Sequence, residues 1–340
     1  MTHLLEYTPE QLLQNHPFAN PHRAAGRELH GGFDANGDYI SPRMLHRGPA
    51  VVAWQLQLLE RGWKIIEATR QLLTHDTFPS KSQQKLLLQS GFGRIMWNNL
   101  TITGVIEARG LALVEMIAPD FSFLIKEDIS RTALGHLNKG LLRAHGMDEG
   151  GDPNSNIGGH DAMWFAVRDM VFGENAYPIP EIPESIGRPE SDKRLMADLP
   201  FEHEMLILLL MDVLMIEVRA ENAFSTNIDL LSDPEIFQDK RNIADQAAKI
   251  VQRIREDEKI HVGYLTTVLS ELRSLHFQLN GKEVLGKEII DPAWETMVHW
   301  HAEENPRLQR EKQIPGLEAW IKSEPNGEKL WQQFIALDRD

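Results

Sequence analysis

The sequence predicts an all-α protein organised around a helical bundle, and three observations carry that prediction. Apolar residues recur every three to four positions through several long stretches, as they do along one face of a helix. The strict apolar–polar alternation of half-buried strands is nearly missing. Glycine and proline fall between the periodic stretches, where they punctuate helices without interrupting them.

Taken in chain order, residues 1–48 are rich in Pro, Gly, Asn and His without a sustained period, which predicts an extended N-terminal arm with one short helix near 9–15. Within it, "DANGDYIS" has Tyr39 where a calcium loop needs its glycine and no glutamate to close the loop, so it reads as a turn. After "RGP", Pro49 fits the first turn of a helix that runs to about Leu73. A second helical region covers about 81–118, bent around "SGFG" and stopped by Pro119. A third begins near Asp128 and reaches the cluster "HGMDEGGDPNSNIGGH", and "DAMWFAVRDMVF" forms a further helix ended by Gly173. Residues 174–200 are a proline-rich surface connection. Two long helices follow at about 201–230 and 241–276, then one with Asp291 as N-cap and Pro292 as its first residue, then one or two short ones. The expected organisation is an arm at 1–48, a bundle at 49–280, and a helical extension at 281–340 packed on it.

Composition narrows the function. The chain of 340 residues is 42% hydrophobic and 25% charged, ordinary for a globular protein with a sizeable core. Its formal net charge of -15 argues against nucleic acid or an anionic membrane as the main partner. Cysteine is absent, which removes disulfides, thiolate metal sites and cysteine nucleophiles, so any metal must be held by His, Asp or Glu. The longest apolar run, "MLILLLMDVLMI", contains Asp212 and falls short of the ~18 residues of a membrane span. The opening residues lack the basic patch and apolar run of a secretory signal, and a cytoplasmic protein is expected. Phosphate-binding Walker loops, Gly-x-Ser-x-Gly elbows and His-Glu-x-x-His zinc motifs are all missing.

What remains is a set of polar residues where a helix should be oily. In "VQRIREDEKIHVGYL", Val251, Ile254 and Leu265 form an apolar stripe that also contains Glu258 and His261. These two sit one turn apart and can reach one point in space, the geometry of a Glu-x-x-His metal-binding pair. A buried ionised carboxylate costs several kcal/mol unless it is paired, protonated or bound to a metal. The preceding helix is apolar almost all round and then introduces Glu217 and Glu221. If the two helices run antiparallel, Glu217 lies about as far before their connection as Glu258 lies after it, with Glu221 near enough to serve as a second partner. The alternative is that these glutamates pair with arginines such as Arg219 or face solvent. Glu107 continues the stripe of Leu100, Thr103, Leu111 and Val114, among small residues that would admit a close helix. Glu115 projects elsewhere. For Glu107, a ligand role and an ordinary helix charge stand level.

The remaining helix carries a stripe of Leu134, Leu137 and Leu141 whose next members are His145, Asp148 and Glu149. His136 lies on another face, as a structural residue. His160 follows the glycine-rich excursion and can fold back to the same place. His145, Asp148, Glu149, Asp152 and His160 are either ligand candidates or a polar, hydrogen-bonded loop.

Glu107, Glu217 and Glu258-x-x-His261 on separate long helices resemble the ferritin-like di-metal carboxylate superfamily, over about residues 100–265, and "DEKIH" is especially similar to its last metal-binding helix. The family pattern is one Glu from each of two helices and a Glu-x-x-His from each of the other two. The resemblance implies a ferritin-like four-helix bundle with additional helices. It also implies Glu107 as first-helix ligand, Glu217 or Glu221 as bridging ligand, and Glu258 with His261 as the last pair. The second Glu-x-x-His is missing, so Glu149 with His145 or His160 must replace it, or one metal position is altered or empty.

The function so implied is a non-haem di-iron oxidase or oxygenase with two iron ions per chain, manganese being the other candidate. Its partners would be dioxygen, a small organic substrate, an electron-donor protein and a second copy of the chain. Met163, Trp164 and Phe165 are candidates for lining a substrate pocket or for core packing. The competing readings are an iron-handling ferroxidase of the same fold and a metal-free helical scaffold.

Overall fold

The computed structural model describes residues 4–74, 77–190 and 193–337, and over them the chain is mostly helical. Within the N-terminal arm, α1 (Pro9–Leu13) opens on a capping box: the Thr8 hydroxyl accepts from the Gln11 backbone N–H while the Gln11 side chain answers Thr8. Two hairpins follow, β1 (His22–Ala24) with β2 (Arg27–Leu29), and β3 (Gly32–Phe33) with β4 (Tyr39–Ile40). The predicted turn joins the second pair, with the Asp34 carboxylate accepting from the N–H groups of Asn36 and Asp38.

Helix α2 spans Met44–Glu60, so it starts ahead of Pro49, which lies inside it, and stops at the turn of Arg61 and Gly62 well before Leu73. The 81–118 region divides at Gly91, whose φ of +87 only glycine adopts easily, into α3 (Lys81–Gln89) and α4 (Gly93–Gly110). Instead of a helix from Asp128, turns lead into short 3-10 and π segments at Leu134–Leu141, and then α5 (Leu142–Gly150). Helix α6 (His160–Val171) ends before Gly173 as expected, and 174–200 contains no regular element among its described residues.

The two longest helices are α7 (Phe201–Ser232) and α8 (Arg241–Ser274), which double back on each other through an eight-residue span, 233–240. A last hairpin, β5 (His276–Leu279) with β6 (Lys282–Leu285), precedes α9 (Gly286–His299). Asp291 is not its N-cap. It lies inside the helix and pairs with Arg273 at 2.5 Å. The tail is longer than expected: a π turn joins α9 to α10 (Asn305–Lys322), followed by α11 (Gly327–Ala336).

Helix α8 is central, packing on α7, α6, α2 and α9, while α4 packs on α6 and α5. The apolar interior forms two large clusters, one around Leu210, Met215, Tyr264 and Val268, the other around Leu100, Trp164, Phe224 and Ile254. Helices α7 and α8 run through both. Glu217 and Glu258 sit on them where one cluster gives way to the other. No helix among the described residues is long and apolar enough to cross a membrane.

Candidate metal centre

The apolar stripe of α8 does turn inward, and it takes its carboxylate and imidazole with it. Val251, Ile254 and Leu265 are buried, and so are Glu258 at 5% exposure and His261 at 0%. His261 Nδ1 lies 2.6 Å from Glu258 Oε2 and 3.9 Å from Glu217 Oε1 of α7. From α5, His145 Nε2 approaches Glu149 Oε1 at 3.3 Å and Glu217 Oε1 at 3.5 Å, its ring stacked 3.8 Å from that of His261. His160, the first residue of α6, brings Nδ1 to 3.0 Å from Glu258 Oε1 and 3.6 Å from Glu149 Oε1. Helix α4 adds Glu107, whose Oε1 accepts from Trp164 Nε1 at 3.2 Å. Gly110 lets α5 come this close: a Cβ there would stand 2.6 Å from Glu149 Cβ and Cγ.

These residues form two overlapping groups, each with its ligand atoms within 4.8 Å of one another. One is His145, Glu149, Glu217 and His261. The other is Glu107, Glu149, His160 and Glu258. Glu149 belongs to both.

A hydrogen-bonded polar cluster would saturate its own atoms, and this one does not. Glu149 Oε1, His160 Nδ1 and Glu258 Oε1 are buried with no hydrogen-bond partner, although they point into one small volume. Among the described residues, no lysine or arginine pairs with Glu107, Glu149, Glu217 or Glu258. Buried carboxylates converging with only the three imidazoles to answer them are costly unless those imidazoles are protonated, and a cation bound between them removes the cost. The donor set of carboxylate oxygen and imidazole nitrogen suits first-row transition metals. These buried groups can hold a metal ion.

The far nitrogen of each inward imidazole is also spoken for, the arrangement that fixes ring orientation in metal sites. His261 Nε2 faces the Asp148 carboxylate at 3.2 Å, which is clamped in turn by Arg43 and by Arg47 at 2.6 Å. His160 Nε2 faces Asp257 Oδ2 at 3.3 Å, the same oxygen that receives His30 Nε2 at 3.0 Å and the Tyr39 hydroxyl at 2.8 Å. His145 Nδ1 meets the Tyr264 hydroxyl at 2.8 Å. The arm reaches the centre because β2 continues into the segment before α6: His30 N–H donates to Gly158 O and Gly158 N–H to Glu28 O. A third group of buried ligand-type atoms, His30, His160 and Asp257, is joined by these hydrogen bonds through Asp257 Oδ2, while His30 Nδ1 and Asp257 Oδ1 are left without a partner.

The protonation states follow from crowding. Burial, and then the negative charges of Glu149 and Glu258, push the Glu107 carboxyl well above its usual range. Burial and Glu258 raise Glu217 to about 8. Burial alone would lower His261, and so does the charge of His145, but Glu258, Asp148 and Glu149 outweigh both and raise it to about 10. His160 is raised despite its burial, chiefly by Glu258 and Glu149. Protons here stand where a metal's positive charge would be.

Of the residues singled out from sequence, Glu107, His145, Glu149, His160, Glu217, Glu258 and His261 meet in one place. Glu221 does not. It lies a turn away on the half-buried side of α7, paired with Arg255 at 2.5 Å, which neutralises it locally. Asp148 serves the two arginines and His261, and Asp152 caps its own loop through Asn154 N–H. Glu115 is exposed, and His136 is a structural residue, hydrogen-bonded to Tyr7 N–H and Thr132 O. Met163 and Trp164 are core residues, Trp164 stacked on Phe224. The sequence reading missed His30, Tyr39, Arg43, Arg47 and Tyr264, and gave Asp257 no role of its own. The four-residue spacing of Arg43 and Arg47 was the one available signal, on a helix turn that begins earlier than Pro49 suggests.

The class defined by fold and site is a mostly helical protein with a buried histidine–carboxylate cluster that can hold metal. No family model, curated protein or solved structure matches the chain.

Proposed function

We propose that this chain is a ferritin-like, non-haem di-metal oxidoreductase that carries two iron ions and uses dioxygen to oxidise or oxygenate a small organic substrate. Manganese is the alternative metal. The observation that carries the reading is the convergence of Glu149 Oε1, His160 Nδ1 and Glu258 Oε1, buried and without hydrogen-bond partners, where two donor groups overlap at Glu149. A redox-active metal pair supplies the reduction of dioxygen when bound.

The chain's own residues do the rest. Glu107, Glu149, Glu217 and Glu258 would hold the ions through their carboxylate oxygens. Asp148, held by Arg43 and Arg47, keeps His261 oriented, and Asp257 does the same for His160. The surrounding apolar clusters keep bulk water from the centre. Oxygenation needs electrons from outside, which an electron-donor protein would deliver.

The test is metal quantification in the iron-loaded wild type beside Glu258→Ala and His261→Ala, followed by dioxygen uptake of the reduced proteins. Two metals per chain in the wild type, with at most one left in each variant and dioxygen uptake lost, is the expected result. A wild type that takes up no metal, or variants that keep both ions, overturns the proposal. Uptake driven only by repeated additions of ferrous ion would replace it with the ferroxidase reading.

A further inference from the structure

The two donor groups are chemically unequal. His145, Glu149, Glu217 and His261 present two imidazoles, whereas Glu107, Glu149, His160 and Glu258 present one imidazole among three carboxylates. We propose that the two cation positions fill in a fixed order: a first-row divalent ion enters the two-imidazole side first and stays, and the Glu107 side fills second and exchanges. This rests on the metal-binding reading above.

Ligand chemistry gives the first reason. Ferrous ion and the first-row divalent ions after it suit an imidazole nitrogen, whereas manganese suits carboxylate oxygen, and affinity grows from manganese towards copper. Support of the ligands gives the second. The two-imidazole side is drawn from α5, α7 and α8, all its residues buried, with both rings fixed from behind by Tyr264 and Asp148. Asp148 is fully buried between two guanidinium groups, so His261 is ready-oriented before an ion arrives.

The other side is assembled from pieces that meet only in the folded whole. Glu107 is the half-buried member of the seven and stands on α4. His160 opens α6 three residues after the exposed stretch at 153–156, and its orienting Asp257 is held by neutral or titratable partners, His30 and Tyr39, where Asp148 is held by two guanidinium groups. Each piece must be ordered at some entropic cost before the position is complete. A second ion also enters beside the charge of the first, with Glu149 already shared between them.

Calorimetric titration of the metal-free full chain with Co2+, whose preference for imidazole exceeds that of manganese, read in parallel by electron paramagnetic resonance, tests the order. Two events separated by at least about tenfold in affinity are expected, with an isolated-ion spectrum at one equivalent and a spin-coupled one at two. Glu107→Gln should retain the tight event and lose the weak one, whereas His145→Gln should weaken the tight event. Two events of equal affinity, or loss of both in a Glu107→Gln protein with wild-type circular dichroism, overturns the order while leaving the metal reading intact. No binding at all overturns both. If either variant fails to fold, the wild-type titration and spectra decide alone.

Discussion

Glu204 and Glu271 are as deeply buried as Glu149 and Glu258, with between 2% and 5% exposure for all four. Yet they do a different job. Glu204 accepts from the N–H groups of Leu195 and Met196 through one oxygen and from Arg194 through the other, tying the end of the 174–200 connection to α7. Glu271 accepts from the N–H groups of Ala133 and Leu134, one on each oxygen, where the chain turns into the segment that leads to α5. Both are saturated. Glu149 and Glu258 each keep a buried oxygen without a partner, and no lysine or arginine among the described residues answers them. Burial alone therefore does not distinguish a ligand from a structural carboxylate. Saturation does.

The comparison is most strongly challenged at Glu149, the residue common to both donor groups. Glu149→Ala should abolish binding of both ions, a larger loss than the ~10–100-fold that removing an outer-shell partner costs. Elemental analysis of the loaded variant checks it, and retention of even one tightly held ion would contradict the shared role. Asp148→Asn comes next, because it strands two buried guanidinium groups: a loss of about 3–5 kcal/mol in denaturant unfolding is expected even without metal.

Glu271→Ala should show the opposite profile to Glu149→Ala. Two buried backbone N–H groups lose their acceptor, each costing about 1–3 kcal/mol, while metal content stays at the wild-type level. Loss of metal from that variant would show that saturation does not separate the two pairs of carboxylates.

A pH series sharpens the same contrast. In the metal-free protein, His261 is raised from 6.5 to about 10, so its contribution to stability is complete below 6.5 and is lost as pH rises through 10. Glu217, raised from 4.5 to about 8, acts in the same direction over its own window. The melting temperature of the metal-free chain should therefore fall as pH rises across these values. The metal-loaded chain should resist this fall, and metal affinity should increase with pH because binding releases those protons. Parallel melting curves in both forms would contradict the exchange of protons for metal. The smallest effect belongs to Glu221→Gln: its ion pair with Arg255 is about one-third exposed on the Glu221 side, so a change within about 1 kcal/mol and unaltered metal content are expected.

How far the sequence carried follows from what periodicity can encode. The stripe on α8 and the paired glutamates of α7 were legible because three- and four-residue spacing says which side of a helix is buried, and Glu258 and His261 broke that side's chemistry. Spacing also put His145 and Glu149 one turn apart. Spacing could not choose between Glu217 and Glu221, since both lie near the same side and only the position of Arg255 separates them. The arm was illegible for another reason. His30, Tyr39 and Arg43 reach partners more than 100 positions away through turns and two-stranded hairpins, which carry no long-period pattern. Proline does not mark a helix start in this chain: both Pro49 and Pro292 lie inside helices whose first turns precede them.

The most direct measurement is anomalous X-ray scattering at the iron edge from crystals of the chain loaded with ferrous ion without oxygen. The account predicts two peaks, one on each side of the Glu149 carboxylate, one within bonding distance of His145 Nε2 and His261 Nδ1 and the other of His160 Nδ1. Iron-loaded crystals with no peak there, and with the three imidazoles hydrogen-bonded to the surrounding carboxylates, would contradict it.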